Sequence, residues 1–217
     1  VNPFITKKRP ANKVIVVQGG VDTSYAREYF KSREVTPIEE RKYDACFVGR
    51  FHYQKGVLEL IQIWREVCKK RSQCRLAMIG TGPLDQKIKR TINQLKIKDN
   101  IDLFGFMDGS DKFDVFKQSK IVVHPATYDS GGMAPAEAMA WGLPGVGFDL
   151  EALKTYYPKG MIKTRCFNMT EFAENIIHLL SNPNYYQMLS KEAVQLINEQ
   201  WDWEKQAQNI FDKSTGC

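Results

Sequence analysis

His124-Pro125-Ala126-Thr127-Tyr128-Asp129-Ser130-Gly131-Gly132-Met133-Ala134-Pro135-Ala136-Glu137-Ala138-Met139-Ala140-Trp141-Gly142-Leu143-Pro144 is the stretch whose reading decides the fold. An apolar strand, Ile121 to Val123, runs into a loop with adjacent glycines, and a small-residue helix follows. That helix carries one carboxylate, Glu137, about two helical turns beyond the loop acid Asp129. Gly131 and Gly132 leave backbone N–H groups uncovered where the free amides and positive end of the helix point outward, so an anion is stabilised there. Glu137, about a turn inside the helix, can accept hydrogen bonds from hydroxyls while the helix start holds the charged group. That arrangement suits a ribose attached to a diphosphate. Paired glycines before Ala-Met-Ala also describe an ordinary tight turn into a closely packed helix, and Asp129 also reads as a cap ahead of that helix. On this stretch alone both readings stay open.

Upstream, Asp44 to Val48 reads as a strand. Gly49-Arg50-Phe51-His52-Tyr53-Gln54-Lys55-Gly56 then leads into an amphipathic helix with Leu58, Ile61, Trp64, Val67 and Cys68 on one face. Arg50 and Lys55 at the mouth of this crossover can converge on a diphosphate, one as a fork and the other as a point charge. Singly, each also reads as a solvated surface residue. Cys74 to Ile79 is a buried-type strand closed by Gly80-Thr81-Gly82-Pro83, with a helix from Leu84 to Leu95. The dinucleotide-binding fingerprint fails here because its third glycine is Asp85. Gly80 and Gly82 can still line a nucleotide cleft, while Pro83 in a helix's first turn explains much of the stretch structurally. Ile101 to Phe104 is a further strand ending at Gly105-Phe106-Met107-Asp108, with Ser110 or Asp111 expected to cap the helix through Phe113 and Phe116. Nearer the start, Val14 to Val17 reads as a strand ending at Gly19-Gly20-Val21-Asp22, with Asp22 available as a cap, and 25–41 as a loop or short helix.

Downstream, Pro144 to Phe148 is a strand, Asp149 starts a short helix, and Gly160 to Lys163 is a last strand. Helices follow at Thr170 to Leu180, Asn184 to Gln200 and Trp201 to Phe211. Strands alternating with helices imply an α/β, doubly wound parallel sheet, Rossmann-like, with right-handed crossovers. In such a sheet every carboxyl strand end lies on one rim, where ligands bind. Gly49 with Arg50, Gly80 with Gly82, Gly105 with Phe106, and Asp129 through Gly132 all fall just after strands. Their convergence is the physical case for a nucleotide-diphosphate site.

The 217 residues fit one large α/β domain, and 43% apolar with 26% charged residues is ordinary globular composition. The net charge of +6 favours an anionic ligand or surface, yet Lys69-Lys70-Arg71, Lys87-Ile88-Lys89-Arg90 and Lys96-Ile97-Lys98 fall on outward helix faces. Without interleaved stacking aromatics or a nucleic-acid module, nucleic acid is not the expected partner. The five cysteines (Cys46, Cys68, Cys74, Cys166, Cys217) contain no Cys-x-x-Cys pair, and His52, His124 and His178 are scattered, so neither a disulfide framework nor a metal site is expected. His124 reads as a plain strand-end residue. No apolar run reaches the roughly 18 residues that span a bilayer and no secretory signal is visible, so the expected location is cytoplasmic. Surface lysines are compatible with peripheral docking on anionic lipid. Residues 1–13 read as a linker from a longer chain, and 14–217 as the domain.

The order of these motifs resembles the nucleotide-sugar-binding half of glycosyltransferase family 4 enzymes, which have the two-domain GT-B fold. The resemblance rests on Gly19-Gly20-Val21-Asp22, Phe47-Val48-Gly49-Arg50 with Lys55-Gly56, Ile79-Gly80-Thr81-Gly82-Pro83, Gly105-Phe106, and His124 to Pro144. It implies that the chain is one GT-B half-domain with C-terminal helices, lacking its N-terminal acceptor domain. Arg50 and Lys55 would hold the diphosphate, the amides of Gly132 and Met133 its distal phosphate, Glu137 the ribose, and Asp129 the donor sugar. Phe106 and Met107 would border the base. The family usually has Glu where this chain has Asp129, and Gly where it has Ser130. The implied reaction is retaining transfer of a hexose from a nucleoside-diphosphate sugar, with no cofactor and no required metal. The fragment alone would bind donor without turnover. The Trp201-Asp202-Trp203 helix would pack toward the absent domain. Two other readings are a non-catalytic nucleotide-sugar-binding module and a GT-B sugar-nucleotide epimerase; the second needs grouped acid–base residues that the sequence does not display.

Overall fold

The computed structural model describes residues 19–32, 35–129 and 131–215. The linker at 1–13, the strand expected at Val14 to Val17, Ser130 and Cys217 lie outside the described residues. After helix α1 (Ser24–Lys31) the chain alternates β1 (Tyr43–Val48), α2 (Val57–Lys70), β2 (Leu76–Ile79), α3 (Asp85–Gln94), β3 (Ile101–Gly105), α4 (Gly109–Lys117) and β4 (Ser119–His124). It continues through α5 (Met133–Met139), β5 (Gly145–Phe148), α6 (Glu151–Tyr156) and β6 (Met161–Thr164), then α7 (Met169–Ser181), α8 (Pro183–Leu196) and α9 (Trp203–Thr215). All strand pairs are parallel, in the order β3-β2-β1-β4-β5-β6. The doubly wound parallel sheet expected from the sequence is therefore present, its order reversing between β1 and β4, where such sheets open a crevice.

Strand alternation feeds two apolar layers. Ala45, Phe47, Leu76, Met78, Ile121, Val123, Val146 and Phe148 face one layer, closed by α2, α3 and α7. Cys46, Ala77, Ile79 and Val122 face the other, closed by α4, α5, α6 and α8. On α2 the buried face is Val57, Leu60, Ile61, Ile63, Trp64 and Val67, while Leu58 and Cys68 sit at its edge, only partly covered. Each fully buried Leu or Ile there contributes roughly 1.5–3 kcal/mol. The lysine clusters lie outward as expected: Lys87, Lys89 and Arg90 are exposed around buried Ile88.

Several boundaries differ from the sequence reading for local reasons. Neither Ser110 nor Asp111 caps α4; Asp108 occupies the cap position, because Gly109 takes a positive φ of 55° and turns into the helix earlier. Pro83 lies in the turn before α3, not in its first turn. Asp149 is held by its N–H to the Thr164 carbonyl (2.7 Å), which delays α6 to Glu151. The expected helix from Asn184 to Gln200 ends at Leu196 and widens into a π-helical turn, Ile197–Trp201, which seats Trp201 on Tyr157 with ring centroids 5.2 Å apart. Thr23, not Asp22, occupies the cap position of α1, and Asp22 accepts the Ser24 N–H at 2.8 Å from one residue before it. Its segment is anchored to the far end of the chain: Val21 pairs with Asp202, whose carboxylate accepts from Thr23 and Arg27.

Candidate functional site at the strand ends

The loops after β1, β2, β3 and β4 lock together on the carboxyl rim. Gly80, after β2, donates its N–H to the carbonyl of Gly105, the last residue of β3 (2.7 Å), and a Cβ on Gly80 would lie 1.9 Å from the Gly49 carbonyl oxygen. Phe51 N–H meets the Thr81 carbonyl at 2.9 Å, and Gly82 is packed against the Phe51 backbone. Gly56, at φ 63°, lets the β1 loop touch the β4 loop: a Cβ there would sit 1.8 Å from the Pro125 carbonyl oxygen. Such approach of backbone to backbone admits no side chain. Thr127 N–H closes the same contact on the Gln54 carbonyl at 2.9 Å.

This interlock presents Lys55 to Asp129. Lys55 Nζ lies 2.7 Å from Asp129 Oδ2, and His124 Nε2, at the end of β4, lies 3.0 Å from the same oxygen. Asp129 Oδ1 accepts the N–H groups of Gly131 (3.1 Å) and Gly132 (2.8 Å). The Asp129 side chain is only 7% exposed. Burial opposes its charge, but the bonds from His124, Lys55 and the two amides outweigh burial and hold the carboxyl well below the usual carboxylate range. The reading of Asp129 as an acid that folds back ahead of α5 is met by its bonds to the Gly131 and Gly132 amides, and the same carboxylate also pairs with Lys55. The Gly132 N–H assigned by resemblance to a phosphate is engaged here by Asp129.

Gly132 is the N-cap of α5 at φ 60°, and the buried Tyr157 hydroxyl donates to its carbonyl. Burial, with the nearby Asp129 and Glu137 charges adding to it, pushes the Tyr157 hydroxyl well above its ordinary value, so it remains a neutral donor. Further along α5, Glu137 Oε2 is 2.9 Å from Lys112 Nζ, which also reaches Asp108 at 3.0 Å. Burial alone would lower Lys112, and the bonds to Glu137 and Asp108 overcome it and hold the ammonium above its ordinary value.

Lys55, Asp129, Gly131 and Gly132 are in direct contact, with Gly49 beside the Lys55 stem and Gly80 and Gly82 behind it. Arg50 is exposed immediately after Gly49 on the same rim. Glu137 joins them through α5, and its partner Lys112 also holds Asp108, which follows Phe106, 78% exposed, and half-buried Met107. Met133 is 47% exposed at the start of α5. The sequence reading missed three contributors. His124, expected to be a plain strand-end residue, touches Asp129; its position five residues before the acid, at a strand end, was the available signal. Lys112 and Tyr157 come from 25 residues before Glu137 and 25 after Gly132, and no local pattern marks them. Among the described residues no group of three or more His, Cys, Asp or Glu is placed to hold a metal ion, and no helix is long and apolar enough to cross a membrane. A concavity of about 680 Å³ lined by Arg75, Lys89 and Asp102 opens by the starts of β2 and β3, away from this rim.

A parallel α/β sheet that gathers a lysine, helix-start amides and two carboxylates at its switch point places them where open sheets of this class form their ligand crevice. The chain belongs to the family of group 1 glycosyl transferases, whose model matches residues 28–196. It is 24% identical over 201 residues to the poly(glycerol-phosphate) alpha-glucosyltransferase of Bacillus subtilis, covering 89% of this chain and 29% of that protein. The structure of Anabaena HepE in complex with UDP and glucose superposes with a TM-score of 0.79 at 16% identity, covering 95% of this chain and 58% of that one. The C-terminal domain of a group 1 family glycosyl transferase (LpcC) from Francisella tularensis superposes with a TM-score of 0.69 at 17% identity, covering 84% of this chain and 99% of that one. The chain spans about half the length, or less, of the curated relatives it matches. Its fold is that of one half of a GT-B glycosyltransferase.

Proposed function

We propose that this chain is the donor-binding domain of a retaining glycosyltransferase of family 4, which transfers a hexose from a nucleoside-diphosphate sugar to an acceptor held by an N-terminal domain. The observation that carries this reading is the convergence of Lys55, His124 and the Gly131 and Gly132 amides on one anion at the start of α5. Here the anion is the chain's own carboxylate; in the complex, Arg50 and Lys55 would hold the diphosphate and the α5 amides its distal phosphate. Glu137 would accept from the ribose hydroxyls, sharing its charge with Lys112, and Asp129 would meet the sugar. Phe106 and Met107 would flank the base. The UDP and glucose in the HepE complex, and the name alpha-glucosyltransferase carried by the Bacillus relative, support a hexose donor.

In the transfer, the bond from the anomeric carbon to the diphosphate oxygen breaks and its electron pair leaves with the diphosphate. The acceptor oxygen bonds that carbon on the same face and releases its proton. Preorganised cations and helix-start amides lower the barrier by stabilising charge that grows on the leaving group. The chemistry asks for no cofactor and no metal, and a cytoplasmic setting, with peripheral contact to anionic lipid where the acceptor is lipid-linked, belongs to the same reading.

The test is a thermal-shift screen of the protein against UDP-, GDP- and ADP-sugars, followed by transfer assays on the full-length chain. A donor that binds the folded state raises the melting temperature, and Glu137→Ala is expected to abolish both that rise and transfer. No shift with any nucleotide sugar would overturn the reading. Binding without transfer by the full-length chain would favour a non-catalytic module, a reading supported by the way Asp129 engages Lys55 and the helix start.

A further inference from the structure

Far from the strand-end rim, the end of α2 and the start of β2 bring two thiols together. Cys68 Sγ and Cys74 Sγ lie 3.4 Å apart. The turn between them is fixed from several sides. Arg71 N–H bonds the Val67 carbonyl (2.9 Å) and Cys74 N–H bonds the Arg71 carbonyl (3.0 Å). Asn100 Nδ2 bonds the carbonyls of Ser72 and Cys74, each at 2.8 Å, and the Asn100 carbonyl accepts from Trp64 Nε1 at 3.1 Å. The two sulfurs are thus held by a pinned backbone.

We propose that Cys68 and Cys74 form a reversible redox pair, a modification site at which a low-molecular-weight disulfide such as glutathione disulfide closes an intramolecular disulfide. The chemical asymmetry suits the two steps. Cys74 is buried and Cys68 only partly so, which makes Cys68 the sulfur that a reagent reaches first. The shared hydrogen bond lowers the Cys68 thiol, while the same bond, then burial, pushes the Cys74 thiol well up. Lys70, Arg71 and Lys120 line a concavity of about 460 Å³ against Cys74, with Lys120 paired to its one acid, Asp44, at 2.9 Å; Lys70 and Arg71, at the end of the helix that carries Cys68, draw an anionic disulfide there.

In the first step the Cys68 thiolate attacks one sulfur of the reagent, whose S–S bond breaks and releases one thiolate. In the second, Cys74 gives its proton to solvent and its sulfur attacks Cys68, releasing the second thiolate. The sum is two protein thiols plus one disulfide giving one protein disulfide plus two small thiols, with both electrons taken by the reagent. Closing 3.4 Å to a bond of about 2.05 Å brings the two sulfurs about 1.4 Å nearer.

The experiment treats the purified protein with glutathione disulfide and maps peptides under non-reducing conditions. The expected result is a Cys68–Cys74 linkage, removed by dithiothreitol, with Cys46 unmodified. Cys74→Ser is expected to trap glutathione on Cys68, and Cys68→Ser to leave Cys74 a free thiol. Because Cys74→Ser changes a buried position, Cys68→Ser, at the partly exposed sulfur, keeps the test readable if that variant folds poorly. A wild-type protein in which both cysteines stay reduced while exposed Cys166 is glutathionylated, or in which Cys68 stops at the mixed disulfide, would overturn the proposal.

Discussion

Asp129→Asn isolates the charge at the centre of the candidate site. The amide oxygen of Asn can still accept the Gly131 and Gly132 N–H groups, so the turn ahead of α5 is kept, while the carboxylate's ion pair with Lys55 (2.7 Å) and its hydrogen bond with His124 (3.0 Å) are lost. A hydrogen bond to a charged group is worth about 1.5–3 kcal/mol net. Two such bonds on one buried oxygen, taken as less than additive, give an expected loss of about 2–4 kcal/mol at neutral pH. The pH dependence separates charge from shape. The carboxyl is depressed in the folded state, so its contribution is fully present above the unfolded value of about 3.9 and is lost as pH falls toward the folded value. The stability gap between wild type and Asp129→Asn should therefore stay constant from pH 8 to about 5 and narrow by about 1.4 kcal/mol per unit below about pH 4. Urea unfolding midpoints of both proteins at several pH values measure this. A gap below about 0.5 kcal/mol, or one that persists unchanged into the acid range, would refute the account of Asp129 as a charge held by four donors.

Gly80→Ala forces a methyl group to within 1.9 Å of the Gly49 carbonyl at a φ of 145°; overpacking of about 1–3 kcal/mol should appear as a lowered denaturant midpoint together with weakened nucleotide binding. Tyr157→Phe leaves the Gly132 carbonyl without its hydroxyl donor, for a loss of about 1–3 kcal/mol, read by urea titration and by faster hydrogen exchange at the start of α5. Asp202→Ala removes the acceptor shared by Thr23, Arg27 and the Lys205 N–H. With Arg27 41% exposed, the expected loss is discounted to about 2–3 kcal/mol. Limited proteolysis should then cut first between residues 19 and 31.

The sheet was legible in the sequence because its central strands are covered on both faces and even the partly covered edge strand β3 is apolar, so each reads as a short apolar run ended by a glycine turn: Phe47-Val48-Gly49, Met78-Ile79-Gly80, Leu103-Phe104-Gly105. Helix boundaries were less legible. Where α8 gives way at Ile197, the cause is the seat that Trp201 takes on Tyr157, a contact across 44 residues that no window of sequence contains. The same holds for Lys112, whose attachment to Glu137 depends on α4 and α5 lying side by side on one face of the sheet.

Asp129 shows how far local chemistry reaches once the neighbours are known. An Asp side chain is short enough to fold back on the N–H groups two and three residues ahead, the usual local habit of this residue, and it does so onto Gly131 and Gly132. A Glu at this position, one methylene longer, would carry its carboxylate past those amides toward the open rim. The departure from the family pattern therefore changes more than the reach toward a sugar. It places an anion of the chain at the donors proposed for the pyrophosphate, so that Lys55 and the start of α5 are ordered before any ligand arrives. On the proposed function, donor binding at this site would take the form of an exchange of one anion for another, and its strength would depend on how much better a doubly charged diphosphate satisfies Lys55, His124 and the two amides than the tethered carboxylate does.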